Sequence, residues 1–130
     1  MTFVDTSALL AFLDRDAEHH TAVVETLSAV LANRRGIIHN YVLIEAEALA
    51  HRRLGGPVAR RLLDDVAPLL EIVWVDADLH AAAVVAHLQA LRRRSSLVDH
   101  VSFELMRRRD IRVAVTLDGD FAGAGFELVP

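Results

Sequence analysis

The stretch Thr2-Phe3-Val4-Asp5-Thr6-Ser7-Ala8-Leu9-Leu10 passes from a short β-prone run into three oxygen-bearing side chains and then into an apolar segment. It reads as a strand that gives way to a helix through a carboxylate. The same change of period recurs along the chain. Short β-branched or aliphatic runs fall at Thr2 to Val4, Gly36 to His39, Glu71 to Val75, Arg112 to Thr116 and Phe126 to Val129, with helical patterns between them. Strands alternating with helices predict an α/β fold: a parallel five-stranded sheet with right-handed crossovers and helices on both faces.

The helical stretches carry their own signals. Val23, Val24, Leu27, Val30 and Leu31 form a stripe between Ala17 and Arg34, and Ala81, Val84, Val85, Leu88 and Leu91 form another between Asp78 and Arg93; both are expected to face the core. Asn40 to Arg53 stops at Gly55-Gly56, and Pro57 opens a further helix expected to run to about Leu70. Trp74 and Tyr41 are expected to pack rather than stack on a ligand.

Composition limits the functions available. A mass of 14.3 kDa corresponds to roughly 6,800 Å² of folded surface against about 20,700 Å² unfolded, so residues 1–130 are expected to form one domain with one core. A 53% hydrophobic and 25% charged chain with 6 Gly and 3 Pro is neither disordered nor fibrous. With 0 Cys there is no thiolate ligand or nucleophile. Despite a mean hydropathy of +0.31, charge interrupts every apolar run before a membrane span is reached. The first residues carry no basic leader, which places the expected site of action in the cytoplasm. All 14 basic residues are Arg, which removes phosphate loops, Schiff-base chemistry and lysine-assisted aspartyl phosphorylation. The net charge of −4 lacks the basic footprint of a simple nucleic-acid binder.

In such a sheet the functional crevice lies beyond the carboxyl ends of the strands. Asp5 follows the first predicted strand and Asp118 the fourth; Asp99 opens the helix that ends in Arg107-Arg108-Arg109, and Glu45 lies on the helix after the second strand. Taken singly, each has an ordinary explanation. Asp5, Thr6 and Ser7 can cap a helix, Ser96 to Asp99 can form a capping box, and Asp118-Gly119 is a turn signal. Glu47 has His51 four residues on, which leaves Glu45 the less explained of the two. Taken together, four acids distant in sequence map to one sheet edge. Crowded carboxylates need a compensating charge, and oxygen-only ligation suits Mg²⁺ or Mn²⁺.

These residues resemble a known family. VDTSALLA (4–11), IEAEAL (44–49), SSLVDHVSFELM (95–106) and VTLDGDFAGAGF (115–126) are similar to the PIN domain, in particular the VapC-type toxin nucleases. The resemblance implies a metal-dependent endoribonuclease with an acidic quartet at Asp5, Glu45, Asp99 and Asp118. It also implies polar accessory positions at Thr6 and Thr116, less fixed ones at Asp120 and Glu47, a VapB-type antitoxin partner and a homodimer. An apolar surface including Leu9, Leu10, Leu13 and Val24 is a candidate for such contacts. The alternative reading is a catalytically silent module whose acidic pocket binds a basic peptide. The Arg clusters fall at helix ends expected at the opposite edge, which leaves Arg15, Arg60 and Arg61 the better-placed candidates for RNA contact. His39 and His100 lie nearest the proposed site and are expected to be structural.

Overall fold

A computed structural model describes residues 1–130. Five strands, β1 (Thr2–Val4), β2 (Gly36–His39), β3 (Glu71–Val73), β4 (Val113–Val115) and β5 (Glu127–Val129), form one sheet in the order β3-β2-β1-β4-β5. All pairings are parallel, with Phe3 set against Ile37 on one side and Ala114 on the other. Phe3, Val4, Ile37, Ile38, Ala114 and Val115 are wholly buried, as expected of strands covered on both faces. The α/β fold class read from the sequence is the one observed.

Seven α-helices cover the sheet: α1 (Thr6–Leu13), α2 (His20–Ala32), α3 (Asn40–Leu54), α4 (Gly56–Arg61), α5 (Ala77–Gln89), α6 (Leu97–Arg108) and α7 (Asp120–Gly123). Right-handed crossovers put α1 to α4 on one face and α5 to α7 on the other. The packing agrees: α1 lies on α2 and α3, α3 on α4, and α5 on α6. The strand order reverses between β1 and β4, so the crevice between their carboxyl ends is the switch point of the fold.

The helix from Pro57 does not run unbroken to Leu70: α4 passes into a π-helical turn at Leu62–Val66 and a 3-10 turn at Ala67–Leu69. Pro68 explains the change, because it has no amide to donate to the carbonyl of Asp64 and its ring crowds that carbonyl. On α5 the predicted stripe faces outward, with Val85 58% and Leu88 60% exposed and Leu91 61% exposed in the turn that follows, while Leu79 and Ala83 are buried. The helix is apolar around most of its circumference, and the fold buries the side with small residues against α6. Leu9 and Leu13 are buried and Leu10 and Val24 half-buried, so the exposed apolar face is on α5 rather than α1 and α2. Trp74, expected to pack, is 71% exposed.

Gly36 opens β2 under a tight roof: an added Cβ would come within 2.5 Å of Leu70 Cδ2 and 3.1 Å of Val30 Cγ1. Gly36→Ala should therefore destabilise the chain by about 1–3 kcal/mol through overpacking, measured by urea unfolding. An unchanged midpoint would mean that Leu70 swings aside freely.

Candidate metal centre

Asp5 leaves β1 as its backbone amide bonds to the Val115 carbonyl (3.0 Å), so the first strand delivers its carboxylate beside the end of β4. Although Asp5 occupies the position before α1, its side chain does not cap that helix. Instead Oδ2 accepts from Ser7 Oγ (2.9 Å) and Thr116 Oγ1 (3.0 Å). Each hydroxyl has one proton, and both are directed at Asp5; their own 3.2 Å approach is a consequence of sharing that acceptor. The same hydroxyls accept from the loop that follows β4, Ser7 Oγ from Leu117 N and Thr116 Oγ1 from Asp118 N, both at 3.0 Å. Asp118 Oδ1 then accepts from Asp120 N (2.9 Å). One hydrogen-bonded chain thus runs from Asp5 to Asp120 and fixes the turn that carries the two later acids.

Asp99 arrives from the other side. It closes a capping box at the start of α6, with Ser96 N donating to its Oδ2 (2.8 Å) and Asp99 N donating to Ser96 Oγ (3.1 Å). The ordinary capping reading is correct, and the carboxylate still reaches the crevice. One oxygen each from Asp99, Asp118 and Asp120 lies within 4.8 Å of the others. Asp5 adjoins this trio closely enough to affect its ionisation. Burial pushes the Asp99 carboxyl up to about 6, with the charges of Asp5 and Asp118 adding to the rise against the Ser96 hydrogen bonds. Burial likewise raises Asp5, opposed by Ser7, Thr116 and the Thr6 amide and assisted by Asp118.

Thr116 is buried within the clamp. Thr6 is buried beside Asp5, and its Oγ1 has no hydrogen-bond partner. Asp120, expected only as an accessory, stands among the three closest acids. Glu45, half-buried on α3, does not join them, and Glu47 meets His51 at 3.7 Å. Ser7 was legible only as a cap. No ion pair reaches Asp5, Asp99, Asp118 or Asp120. Hard oxygen donors, uncompensated charge and an orphaned buried hydroxyl fit a divalent cation.

Behind the acids, His39 holds α6 to the sheet. Its Nδ1 accepts from Val42 N (3.3 Å), which leaves the proton on Nε2 for Ser102 Oγ (2.8 Å); Ser102 then donates to the Val98 carbonyl. Burial lowers the His39 imidazole to about 4. Its role is structural, as expected. Beside the acids, a pocket of about 310 Å³ is lined by Arg93, Ser95, His100, Phe103, Arg107 and Asp120 among others. Arg93 and Arg107 are therefore nearer the acidic crevice than their helix-end positions imply.

A model of the PIN domain matches residues 2–127. The chain belongs to the PIN domain family. It is similar to the 23S rRNA-specific endonuclease VapC20 of Mycobacterium tuberculosis, at 34% identity over 97% of this chain and 95% of the relative. The crystal structure of VapC20, described as a sarcin–ricin loop cleaving toxin, superposes with a TM-score of 0.87 over the full length of both chains at 30% identity. FitAcB of Neisseria gonorrhoeae shares the fold at 16% identity, with a TM-score of 0.74 over 100% of this chain and 97% of its own.

Two of the perturbed groups, His39 and Asp99, pull stability in opposite directions with pH. His39 titrates at about 4 folded and about 6.5 unfolded, so its contribution is present above 6.5 and lost as pH falls. Asp99 titrates at about 6 folded and about 3.8 unfolded, so its contribution is present below that unfolded value and lost as pH rises. Asp99→Asn in EDTA should therefore lose more stability between pH 7 and 4.5 than the parent protein. Equal losses in urea melts would contradict the assignment.

Proposed function

We propose that the chain is a divalent-metal-dependent endoribonuclease, the toxin of a VapBC-type toxin–antitoxin pair, with Mg²⁺ or Mn²⁺ held by Asp5, Asp99 and Asp118 and assisted by Asp120. The observation that carries the reading is the convergence of these acids at the switch point with no cationic side chain to offset them. A cation held by these carboxylates would supply a more acidic water and positive charge to offset that on the scissile phosphate. The protein's part is position. Ser7 and Thr116 hold Asp5, the capping box holds Asp99, and the Asp118–Asp120 bond fixes the turn, so the donors are set before substrate arrives. Glu45 and Thr6 retain the roles that the family resemblance gives them, Glu45 as a more distant acid that orients water or substrate.

VapC20 acts on 23S rRNA, and a ribosomal stem-loop of that class is the first substrate to offer this chain. We place the protein in the cytoplasm; no helix is long and apolar enough to cross a membrane. A pocket of about 300 Å³, lined by Ser7, Leu10, Ala11, Leu54 and Leu117 with Asp14 and Arg53 also on its wall, borders Asp5 through Ser7 and suits apolar side chains of a VapB-type antitoxin tail. We place the homodimer contact on α5. Val85 and Leu88 on α5 and Leu91 in the turn after it form an exposed ridge with Asp76 at one end and Arg92 and Arg94 at the other. An antiparallel two-fold pairing sets each acidic end against a basic end.

Partner-free protein should cut RNA only with Mg²⁺ or Mn²⁺, and EDTA should stop it. Asp99→Asn and Asp118→Asn should each cost about 100-fold or more in rate with circular dichroism unchanged, and Glu45→Gln should cost less. Metal-independent cutting, or unchanged rates in both Asp variants, rejects the mechanism. Absence of cutting on a broad RNA panel favours the silent acidic-pocket module instead, which a basic peptide titration would then test.

The dimer contact has its own check. Leu88→Glu should shift the sedimentation mass from dimer to monomer while leaving the melting temperature of the monomer fold close to that of the parent. A parent protein that sediments as a monomer, or a dimer that tolerates the charge, removes α5 as the contact.

A further inference from the structure

The pocket of about 310 Å³ beside the acids is not used by the chemistry proposed above. Its volume lies at the lower end of the ligand-sized range of about 300–1,000 Å³. Its composition differs from that of the acidic crevice. Arg93 and Arg107 line it together, and neither is paired with a carboxylate, whereas Arg108, Arg109 and Arg112 all are. The remaining wall is small and apolar at Ala86, Ala90 and Ala124, and the edges of the buried His100 and Phe103 rings complete it. Asp120 belongs to both the pocket and the acidic trio, so the two sites share a wall.

Guanidinium groups over an apolar, aromatic floor are the chemistry that receives an unstacked nucleotide: the cations take its phosphate and the floor takes its base. We infer that this pocket binds the RNA nucleotide adjoining the scissile phosphate, with Arg93 and Arg107 on the neighbouring phosphate and the base turned out against the wall formed by Ala90, His100 and Phe103. The inference rests on the ribonuclease reading and adds to it a site that selects where the strand is cut. It also supplies a grip on a polyanion at the edge of an acidic crevice.

The test is steady-state cleavage of a stem-loop RNA by the full chain with Mn²⁺. Arg93→Gln and Arg107→Gln should each raise KM about tenfold with kcat within about twofold of the parent. Arg93→Lys should recover most of the loss. Arg112→Gln, just before β4 and paired with Asp110, should change nothing. Arg107 also lies over the Phe126 ring at 5.7 Å, so its variant is accompanied by a thermal melt; exposed Arg93 gives the cleaner result. Gly123 lines the pocket, and a Cβ added there meets no atom within 4 Å. Gly123→Trp should fill the space and abolish the KM penalty that an abasic nucleotide beside the cut imposes on the parent protein. If Arg93→Gln and Gly123→Trp behave like Arg112→Gln, the pocket assignment is overturned while the ribonuclease reading stands. If the parent protein cuts no RNA, both fall together.

Discussion

Negative charge without a counterion is the constraint on which the rest of this structure depends. Asp5, Asp99, Asp118 and Asp120 are drawn to one crevice by three separate crossovers, and no Arg or His closes on any of them. Burial and mutual repulsion raise the Asp5 and Asp99 carboxyls toward their neutral forms, so the arrangement without metal costs stability. The fold withstands this because the hydrogen bonds are local and redundant. Asp5 accepts two hydroxyl protons, and those hydroxyls in turn tie down the Leu117 and Asp118 amides.

The strain is also distributed across the sheet. Asp99 is held by its own capping box, while the helix that carries it is anchored one turn later by Ser102 to His39 at the end of β2. His39 stays neutral there, since burial makes its protonated form unfavourable. A neutral donor that links β2 to α6 fixes the direction of the helix without adding a charge to an already charged crevice. Val42, at the start of α3, is bound by the same ring, so one histidine sets the entry of α3 and the seat of α6.

Much of this was legible in the amino-acid order, for identifiable reasons. The strands were readable because buried parallel strands are short unbroken apolar runs, as in Gly36 to His39. Asp5, Asp99 and Asp118 were readable because each sits where a strand ends or a helix begins. The α5 face was not, because an Ala-rich helix offers two apolar stripes and side-chain size favours the wrong one; burial went to Leu79 and Ala83. The break after α4 was signalled by Pro68, whose effect the expectation of a single helix passed over. Spacing alone does not reveal that Asp120 joins Asp99 and Asp118, because its position depends on a turn closed by Asp118. Glu45 lies on a helix position that no period fixes, and it is not one of the three acids that cluster.

The distribution of arginine completes the physical picture. A chain of net charge −4 cannot hold a polyanion by its overall field, so attraction has to be local. Arg109 is engaged by Glu71 and Arg108 by Asp78 and Glu104, on the side where the strands begin. Arg93 and Arg107 are left without carboxylate partners, and both line a pocket that shares Asp120 with the acids. The charges that would compete for the acidic crevice are thus neutralised away from it, and those left free border it. Such an arrangement keeps guanidinium groups from collapsing onto the carboxylates, which would quench the site by filling the place of the cation. Under the proposed function it would separate two tasks of the crevice, with the carboxylates holding an ion that activates water and the arginines holding the strand.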